Sequence, residues 1–596
     1  MATIRLSARI FDKRFSGFPC HQDSTTNFEA RLNVDKFPGM VPRDALECAV
    51  DWLYKAEGSA NVAWQYTGSC APLRGQILRI AKETRSPPLG PSLGIVGADR
   101  LLPEDPLEHA STVMRPLLGE PYVIPGARVQ VSATFMAAMQ ARLACLPASV
   151  RPERRRRDRL DDTLESVVLM LDHSLLHPCT PSPVITNLRP VTFCVELKPK
   201  SGVARPGPAG EPCRYCAHQA LKACEAAHVA PATLRSCSGA VHSSIAAAAV
   251  AAAAAVAQHA SRYCPMDLYS GDAVRVRGAC GRLVESPQNN LRVFVDGRLA
   301  FSSEVLAGLR LRGGGGAAAS DGCAGSEAPL DVLEAVLRQH APFAALPPAS
   351  APDPPHHAEL PTGGEPRAPP AVAALCDALS AVLVAEAALL GRLRDVQAAD
   401  GGGLPAVWPL FQRLIRGALP ASGASPAQHE ADEALIAAPP PAAVAAAEAA
   451  LVAAARRGDA EAAAAAATLR SFLISTCAKD CSLLVAMQLL VPEEEEEETR
   501  QKCAQVPSAD SGPPFKDAPV PDSGGMRGCV AVPWPSSPSP SLLAAQYSVA
   551  VVDLDPKPLG RLPHWVAQDA EIRAAWADAG PAIWRALGRE GDCCRV

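Results

Sequence analysis

Four short stretches set cations and carboxylates where their side chains can converge. In VELKPK (195–200), Lys198 and Lys200 stand two apart, so an extended backbone turns both to one face, and Pro199 removes a backbone donor between them. In CRYCAHQALK (213–222), Arg214, His218 and Lys222 recur every fourth residue and stack along one helix face, three donors in a row. In YSVAVVDLDPKPLGR (547–561), a β-branched run ends in Asp553 and Asp555 on one face, followed by Lys557 and Arg561. Carboxylates at a strand end suit Mg2+, which takes oxygen ligands and keeps waters or phosphate oxygens as partners. ISTCAKDCSLLVAM (474–487) sets Lys479 and Asp480 inside an apolar run, where an unpaired charge is costly unless pairing or function retains it. Each cationic pattern, taken singly, also fits a solvated surface. Cys213 and Cys216 form a C-x-x-C, but no second pair follows at zinc-finger spacing, which argues against a metal there.

These residues need elements to hold them. VTFCVELK (191–198) and YSVAVVDLD (547–555) read as strands because they are β-branched, brief and bounded by polar or turn residues. ESVVLMLDH (165–173) reads as a strand buried on both faces, and helical periodicity dominates 211–225 and 371–415, so α and β are mixed. Between such islands lie spacers. Gly313 to Pro370 is Gly/Ala/Pro-rich without a period, and Pro492 to Ser541 opens with six glutamates before becoming Pro/Ser-rich; both read as disordered insertions. The alanine tracts at 244–257 and 437–467 favour helix but offer little to bury.

A chain of 596 residues that is 48% apolar can bury at least one sizeable core. Its net charge of −5 excludes a global positive field for coating nucleic acid, so a highly anionic ligand needs a local basic pocket. The basic run Arg154 to Arg157 is Pro-flanked and reads as a solvated loop. The longest apolar run, Ile245 to Val256, is nearly pure alanine and too short to span a bilayer. With no secretory leader pattern and no N-x-S/T acceptor, the 20 cysteines read as reduced thiols of the cytosol or nucleus. P-loop, G-x-G-x-x-G, H-E-x-x-H, H-R-D and D-F-G motifs are all missing, and the elbow-like GPSLG (90–94) has proline before its serine and no strand ahead of it.

The ordered islands WLYKAEGSAN (52–61), ILRI (77–80), EPYVIPG (120–126), VELKPK (195–200), CRYCAHQALK (213–222), YCPMDLYSG (263–271), PQNNLRVF (287–294), AKDCS (478–482) and VDLDPKP (552–558) resemble the signature set of inositol-pentakisphosphate 2-kinases. A separate inositol-polyphosphate kinase group carries P-x-x-x-D-x-K-x-G, which this chain lacks. A second alternative is a catalytically weak inositide-binding scaffold. The resemblance implies an α+β, two-lobed kinase-like fold with low-complexity insertions: an N-terminal extension at 1–42, an N-lobe at 43–190 and a C-lobe at 191–590, interrupted near 226–260, 303–370, 420–467 and 491–545.

It also implies roles. The Glu57–Val62 loop, with Gly58, Ser59, Ala60, Asn61 and Val62, covers ATP phosphates; Arg79 contacts the nucleotide; Leu171, Asp172 and His173 form the adenine hinge. Asp480 is the base, with Lys479 beside it, and Asp553 and Asp555 hold Mg2+. Arg128, Lys198, Lys200, Arg214, His218, Lys222, Asn289, Asn290, Arg292, Lys557 and Arg561 clamp inositol 1,3,4,5,6-pentakisphosphate, whose 2-hydroxyl is phosphorylated. Neither nucleic acid nor membrane is implied as a partner, and a monomer is expected. The chain departs from the family pattern at Ala56, where glycine is usual, and at Trp565, where some members have tyrosine. The cysteine pair of the plant zinc site has no counterpart between Leu389 and Glu433, so zinc is not predicted.

Overall fold

The computed structural model describes residues 42–83, 100–147, 150–151, 155–176, 191–204, 212–226, 260–313, 329–340, 342–346, 368–418, 426–490, 526–534 and 541–586. The N-terminal extension apart from its last residue, GPSLG, the 244–257 tract and the glutamate run lie outside the described residues.

Eleven strands form two antiparallel sheets among the described residues. The first contains β1 (Trp52–Glu57), β2 (Asn61–Tyr66), β3 (Gln76–Ala81), β4 (Ala127–Gln130) and β5 (Ser166–Leu171), in the order β1-β2-β3-β5-β4. In β2 and β3 every second residue is buried, as a half-covered sheet requires. Their inward side chains, Val62, Trp64, Leu78 and Ile80, pack with Phe135, Met136 and Met139 of helix α1 (Ala133–Ala144). Each fully buried side chain of this size stabilises by roughly 1.5–3 kcal/mol. The Ser132 hydroxyl caps α1, accepting from the Phe135 N–H at 3.1 Å. In β5, the stretch expected to be buried on both faces, only Val167 and Leu169 are buried and the other residues are half-buried.

The second sheet contains β6 (Phe193–Leu197), β7 (Leu291–Val295), β8 (Arg298–Ser302), β9 (Ser482–Leu490), β10 (Met526–Trp534) and β11 (Ser541–Val552), in the order β10-β11-β9-β6-β7-β8. The larger core joins it to helices including α2 (Arg214–Ala226), α3 (Ala273–Glu285), α4 (Pro370–Ala385), α5 (Ala387–Ala398), α6 (Leu404–Ala418), α7 (Pro441–Arg456) and α8 (Ala460–Lys479). The segment Leu101–Val123 also packs into this second core, although it lies in the sequence between strands of the first sheet. Helix α9 (Leu562–Ala586) packs on α2.

Parts of three stretches read as spacers are structured: strand β10 (Met526–Trp534) lies within 491–545, and helices lie within the other two. Within 303–370 the helix Pro329–Leu337 buries Val332, Leu333 and Leu337; within 420–467, α7 buries Val444, Ala447 and Leu451. A few apolar residues at helical spacing suffice to dock an alanine-rich helix, and a composition count averages that signal away. Among the described residues no single helix is long and apolar enough to cross a membrane; α4 and α5 pass together by length and composition but are bent by 70°. Both are core helices. At their junction the buried Glu386 carboxylate accepts from the hydroxyls of Tyr122 at 2.6 Å and Tyr547 at 3.0 Å.

Strand register positions the site. Leu197 pairs with Leu483 and with Leu291, while Val552 pairs with Ser482. The C-terminal ends of β6 and β11 and the starts of β7 and β9 therefore share one end of the second sheet. Lys198, Asp553 and Asn290 directly follow or precede those ends, and Asp480 lies two residues before β9.

Candidate active site

Charges meet at that sheet end in an alternating ladder. Lys198 Nζ is 3.3 Å from the Asp553 carboxylate, which also accepts from the Ser482 hydroxyl at 2.8 Å. Asp480, the residue closing α8, lies 2.8 Å from Lys557 Nζ and 3.8 Å from Lys200 Nζ. Arg79, reaching over from β3 of the first sheet, pairs with Asp555. Lys200 and Asp553 both have φ of 59°, a left-handed backbone that costs a non-glycine residue about 1–3 kcal/mol and gathers at functional sites. The convergence anticipated for Lys198, Lys200, Asp480, Asp553, Asp555 and Lys557 is thus realised by strand register.

Electrostatics set the protonation states. Burial alone would raise the Asp480 carboxyl, but Lys557, Lys200 and Lys198 bring it below the usual carboxylate range. Asp553 is likewise lowered: burial opposes ionisation, and Lys198, the Ser482 hydrogen bond and Arg79 outweigh it. Lys200 is brought down to about 8 by burial, with Asp480 opposing and Lys198 and Lys222 assisting. Lys198, beside Asp553, Asp480 and Glu196, has its pKa raised despite burial. His218 is brought down to about 4 by burial and by Lys222, Arg214 and Lys200, so at neutral pH it offers one neutral N–H donor rather than a positive charge.

Helix α2 carries the second set of cations. Arg214 is held by the Gln568 amide oxygen at 2.8 Å and by Asp569 at 3.4 Å, both on α9. Lys222 donates to Gln288 Oε1 at 2.7 Å, and Gln288 also has positive φ. On β7, Arg292 lies 3.4 Å from Glu196, and Glu196 and Ser482 are 3.3 Å apart, so this cation joins the ladder's edge.

The hairpin joining β1 and β2 is built differently. Gly58, Ser59 and Ala60 are exposed at its tip, and the Gly58 N–H donates to the Asn61 carbonyl at 2.9 Å. With its amide oxygen turned toward Arg79, Asn61 accepts from Nη2 at 2.8 Å and Nε at 3.1 Å. Buried Lys82 donates to the Gly58 carbonyl at 2.8 Å and lies 2.7 Å from Glu57, which also pairs with buried Arg151 at 2.9 Å. The Val62 side chain is in the core, so only its backbone is left for a ligand.

Several anticipated residues lie elsewhere or are otherwise engaged. Lys479 pairs with Asp400 at 2.8 Å rather than with the ladder. Arg128, on β4, pairs with Asp105 at 2.8 Å near the surface. Asn290 is buried, donating to the Tyr215 hydroxyl at 3.0 Å, and its carbonyl accepts from the Lys198 N–H at 2.8 Å; it shapes the loop. Asn289 and Arg561 are exposed. Asp172 is buried, with its carboxylate 3.0 Å from Lys55 Nζ and accepting from the Ser174 hydroxyl at 2.7 Å, and its N–H donating to Gly75; Cys194 Sγ lies 3.8 Å from the His173 carbonyl. Trp565 packs against Phe472, ring centroids 5.8 Å apart.

Sequence reading missed other contributors. Ser482, Glu196 and Lys55 each hold a candidate residue, and buried His109 holds the Leu554 carbonyl between the two acids at 3.2 Å. Buried Gln397 touches the loops of both Lys200 and Asp480. The C-x-x-C pair also gains a third thiol: Cys213, Cys216 and Cys264 are buried with all sulfurs within 4.8 Å of one another. Cys264 is too distant in sequence to be recognised by spacing. Among the described residues these three thiols are a donor set for a thiophilic ion such as zinc, which usually takes four ligands.

The description inositol-pentakisphosphate 2-kinase, as a protein family, matches residues 54–571. The chain is similar to an inositol-pentakisphosphate 2-kinase of Danio rerio, with 29% identity over 265 residues, 42% of this chain and 44% of that protein. It is similar to inositol-pentakisphosphate 2-kinase IPK1 of Oryza sativa subsp. indica at 28% identity over 272 residues, and to the Arabidopsis thaliana protein of that family name at 26% over 281; each match covers 42% of this chain and 53% of the relative. The chain thus spans about half the length of the curated relatives it matches.

Proposed function

Because the chain belongs to the inositol-pentakisphosphate 2-kinase family, we propose that it transfers the γ-phosphoryl group of ATP to the 2-hydroxyl of inositol 1,3,4,5,6-pentakisphosphate, giving inositol hexakisphosphate. The observation that carries this reading is Asp480 held between Lys557 and Lys200 at the convergent strand ends. A carboxylate kept ionised there can accept the hydroxyl proton, and the flanking ammonium groups neutralise phosphates on the same ligand. Lys198, Lys222, Arg214 and Arg292 extend the cationic surface, and His218 adds a neutral donor.

The first sheet forms the smaller lobe of a kinase-like pair, and the nucleotide lies between hairpin and ladder. Arg79 supports this, because it bridges from β3 to Asp555 and contacts Asn61 of the hairpin. The exposed Gly58–Ala60 backbone lets phosphates approach closely. Asp553, with the Ser482 hydroxyl beside it, and Asp555 are the oxygen donors suited to Mg2+, which would neutralise charge on the transferring phosphates. Their present partners, Lys198 and Arg79, are the cations freed for phosphate when those acids take other ligands. Alignment and neutralisation are most of what phosphoryl transfer asks of a protein.

The test is incubation of the purified chain with Mg·ATP and the pentakisphosphate, with products separated by anion exchange. Hexakisphosphate is expected, and only the 2-hydroxyl is free to form it. Measurable pentakisphosphate binding without product would overturn the proposal in favour of a scaffold.

A further inference from the structure

The loops carrying Lys200 and Asp480 come from distant parts of the chain, and their side chains meet only across 3.8 Å. One buried amide joins their backbones. Gln397, near the end of α5 and fully excluded from solvent, points Nε2 at the Lys200 carbonyl (2.9 Å), the Ala478 carbonyl (3.0 Å) and the Tyr269 hydroxyl oxygen (3.0 Å), while its Oε1 accepts from the Gly202 N–H at 2.8 Å. Two amide protons thus serve three acceptors, two of them backbone carbonyls from separate segments, the Lys200 loop and the end of α8. The Gln397 carbonyl in turn accepts from the Ser475 hydroxyl of α8 at 2.6 Å.

Neither carbonyl is well provided for by regular structure. Ala478 lies in the last turn of α8, where helix carbonyls lack intrahelical partners, and Lys200 has left-handed backbone. Side chains supply the missing donors: the Tyr269 hydroxyl donates to the Lys200 carbonyl at 3.3 Å, and that of Tyr263 to Pro199 at 2.8 Å. Three residues beyond Gln397, Asp400 takes Lys479. The end of α5 therefore grips the residues immediately before Asp480 and the loop of the lysine that faces it.

We propose that Gln397 is a positioning residue, setting the distance between Lys200 and Asp480 and so coupling inositide binding to proton removal. This rests on the kinase reading above. The test compares wild type with Gln397→Met, which keeps length and volume but makes none of these bonds, and with Gln397→Asn, which keeps an amide too short to span both carbonyls. Leu393→Ala, a fully buried position on the same helix, serves as the control for general loosening of α5. Both Gln397 variants are expected to lower kcat on the order of 10²-fold and to raise KM for pentakisphosphate, with KM for ATP within about twofold.

The acid limb of the kcat–pH profile is expected to move upward in both, because Lys200 no longer helps hold the Asp480 carboxyl down. The control should lose thermal stability without that shift. Wild-type kcat and an unmoved acid limb in whichever Gln397 variant folds would overturn the proposal, as would the same shift in Leu393→Ala. If wild type itself makes no hexakisphosphate, the kinase reading fails separately, and calorimetry still tests the bridge through Lys200: pentakisphosphate must bind more weakly to the Gln397 variants.

Discussion

In the first sheet, Glu57, Lys82 and Arg151 are buried and satisfy one another and the hairpin backbone; at the strand ends of the second, Lys198, Lys200, Asp480 and Asp553 pair while remaining partly open to solvent. Both regions contain ion pairs, but they differ in what removing a partner leaves behind. A buried, mutually saturated cluster is structural, since any vacancy strands an uncompensated charge. Pairs that stay partly open to solvent are exchangeable: a phosphate or a cation can replace either partner and compensate the charge left behind. The comparison separates the scaffold of the hairpin from the sheet end where the proposal puts the chemistry.

The contrast is sharpest at Asp553. Asp553→Asn should lower turnover on the order of 10³-fold with little loss of thermal stability, measured by initial rates and by melting. In the opposite region, Glu57→Gln should lower stability by about 3–5 kcal/mol, read in denaturant titration, while leaving pentakisphosphate KM unchanged at temperatures where the protein is folded. If instead Glu57→Gln changed KM without changing stability, the division between the regions would be wrong. Lys200→Met should raise pentakisphosphate KM by about 10–100-fold, the value of one charge-assisted phosphate contact.

Lys200 also gives a pH dependence whose sign is fixed. Its charge is present below about 8 and lost above it, and bound phosphates favour the charged form. Pentakisphosphate affinity should therefore fall between pH 7 and pH 9 more steeply in wild type than in Lys200→Met, as calorimetry at a series of pH values can check. Least affected should be Arg128→Ala, because Arg128 is about half exposed and already paired with Asp105; its kinetic constants should stay within about twofold of wild type.

The parts of this site legible in sequence are those whose signal is local. Lys198 and Lys200 follow a β-branched strand, and Asp553 and Asp555 follow another, so charge type and strand period are adjacent in the chain. What no local pattern reveals is register, which alone brings β6, β9 and β11 to a common end. Gln397 carries no charge and sits in an ordinary helix, so its bridge between two loops leaves no trace in composition. Cys264 joins Cys213 and Cys216 only through folding. The alanine-rich helices escape a composition reading because low complexity hides the few apolar residues that dock them, and the tie of the Asp172 carboxylate to Lys55 joins residues far apart in the chain.

The account stands most directly on Asp480 as the proton acceptor at the convergent strand ends. Asp480→Asn keeps the size and hydrogen-bonding reach of the side chain but cannot take the proton, so turnover and calorimetric binding of pentakisphosphate should be measured on the same preparation. Binding within a fewfold of wild type, together with a loss of turnover on the order of 10²–10⁴-fold, is the expected result. Turnover close to that of wild type would contradict it and move the chemistry away from the sheet end.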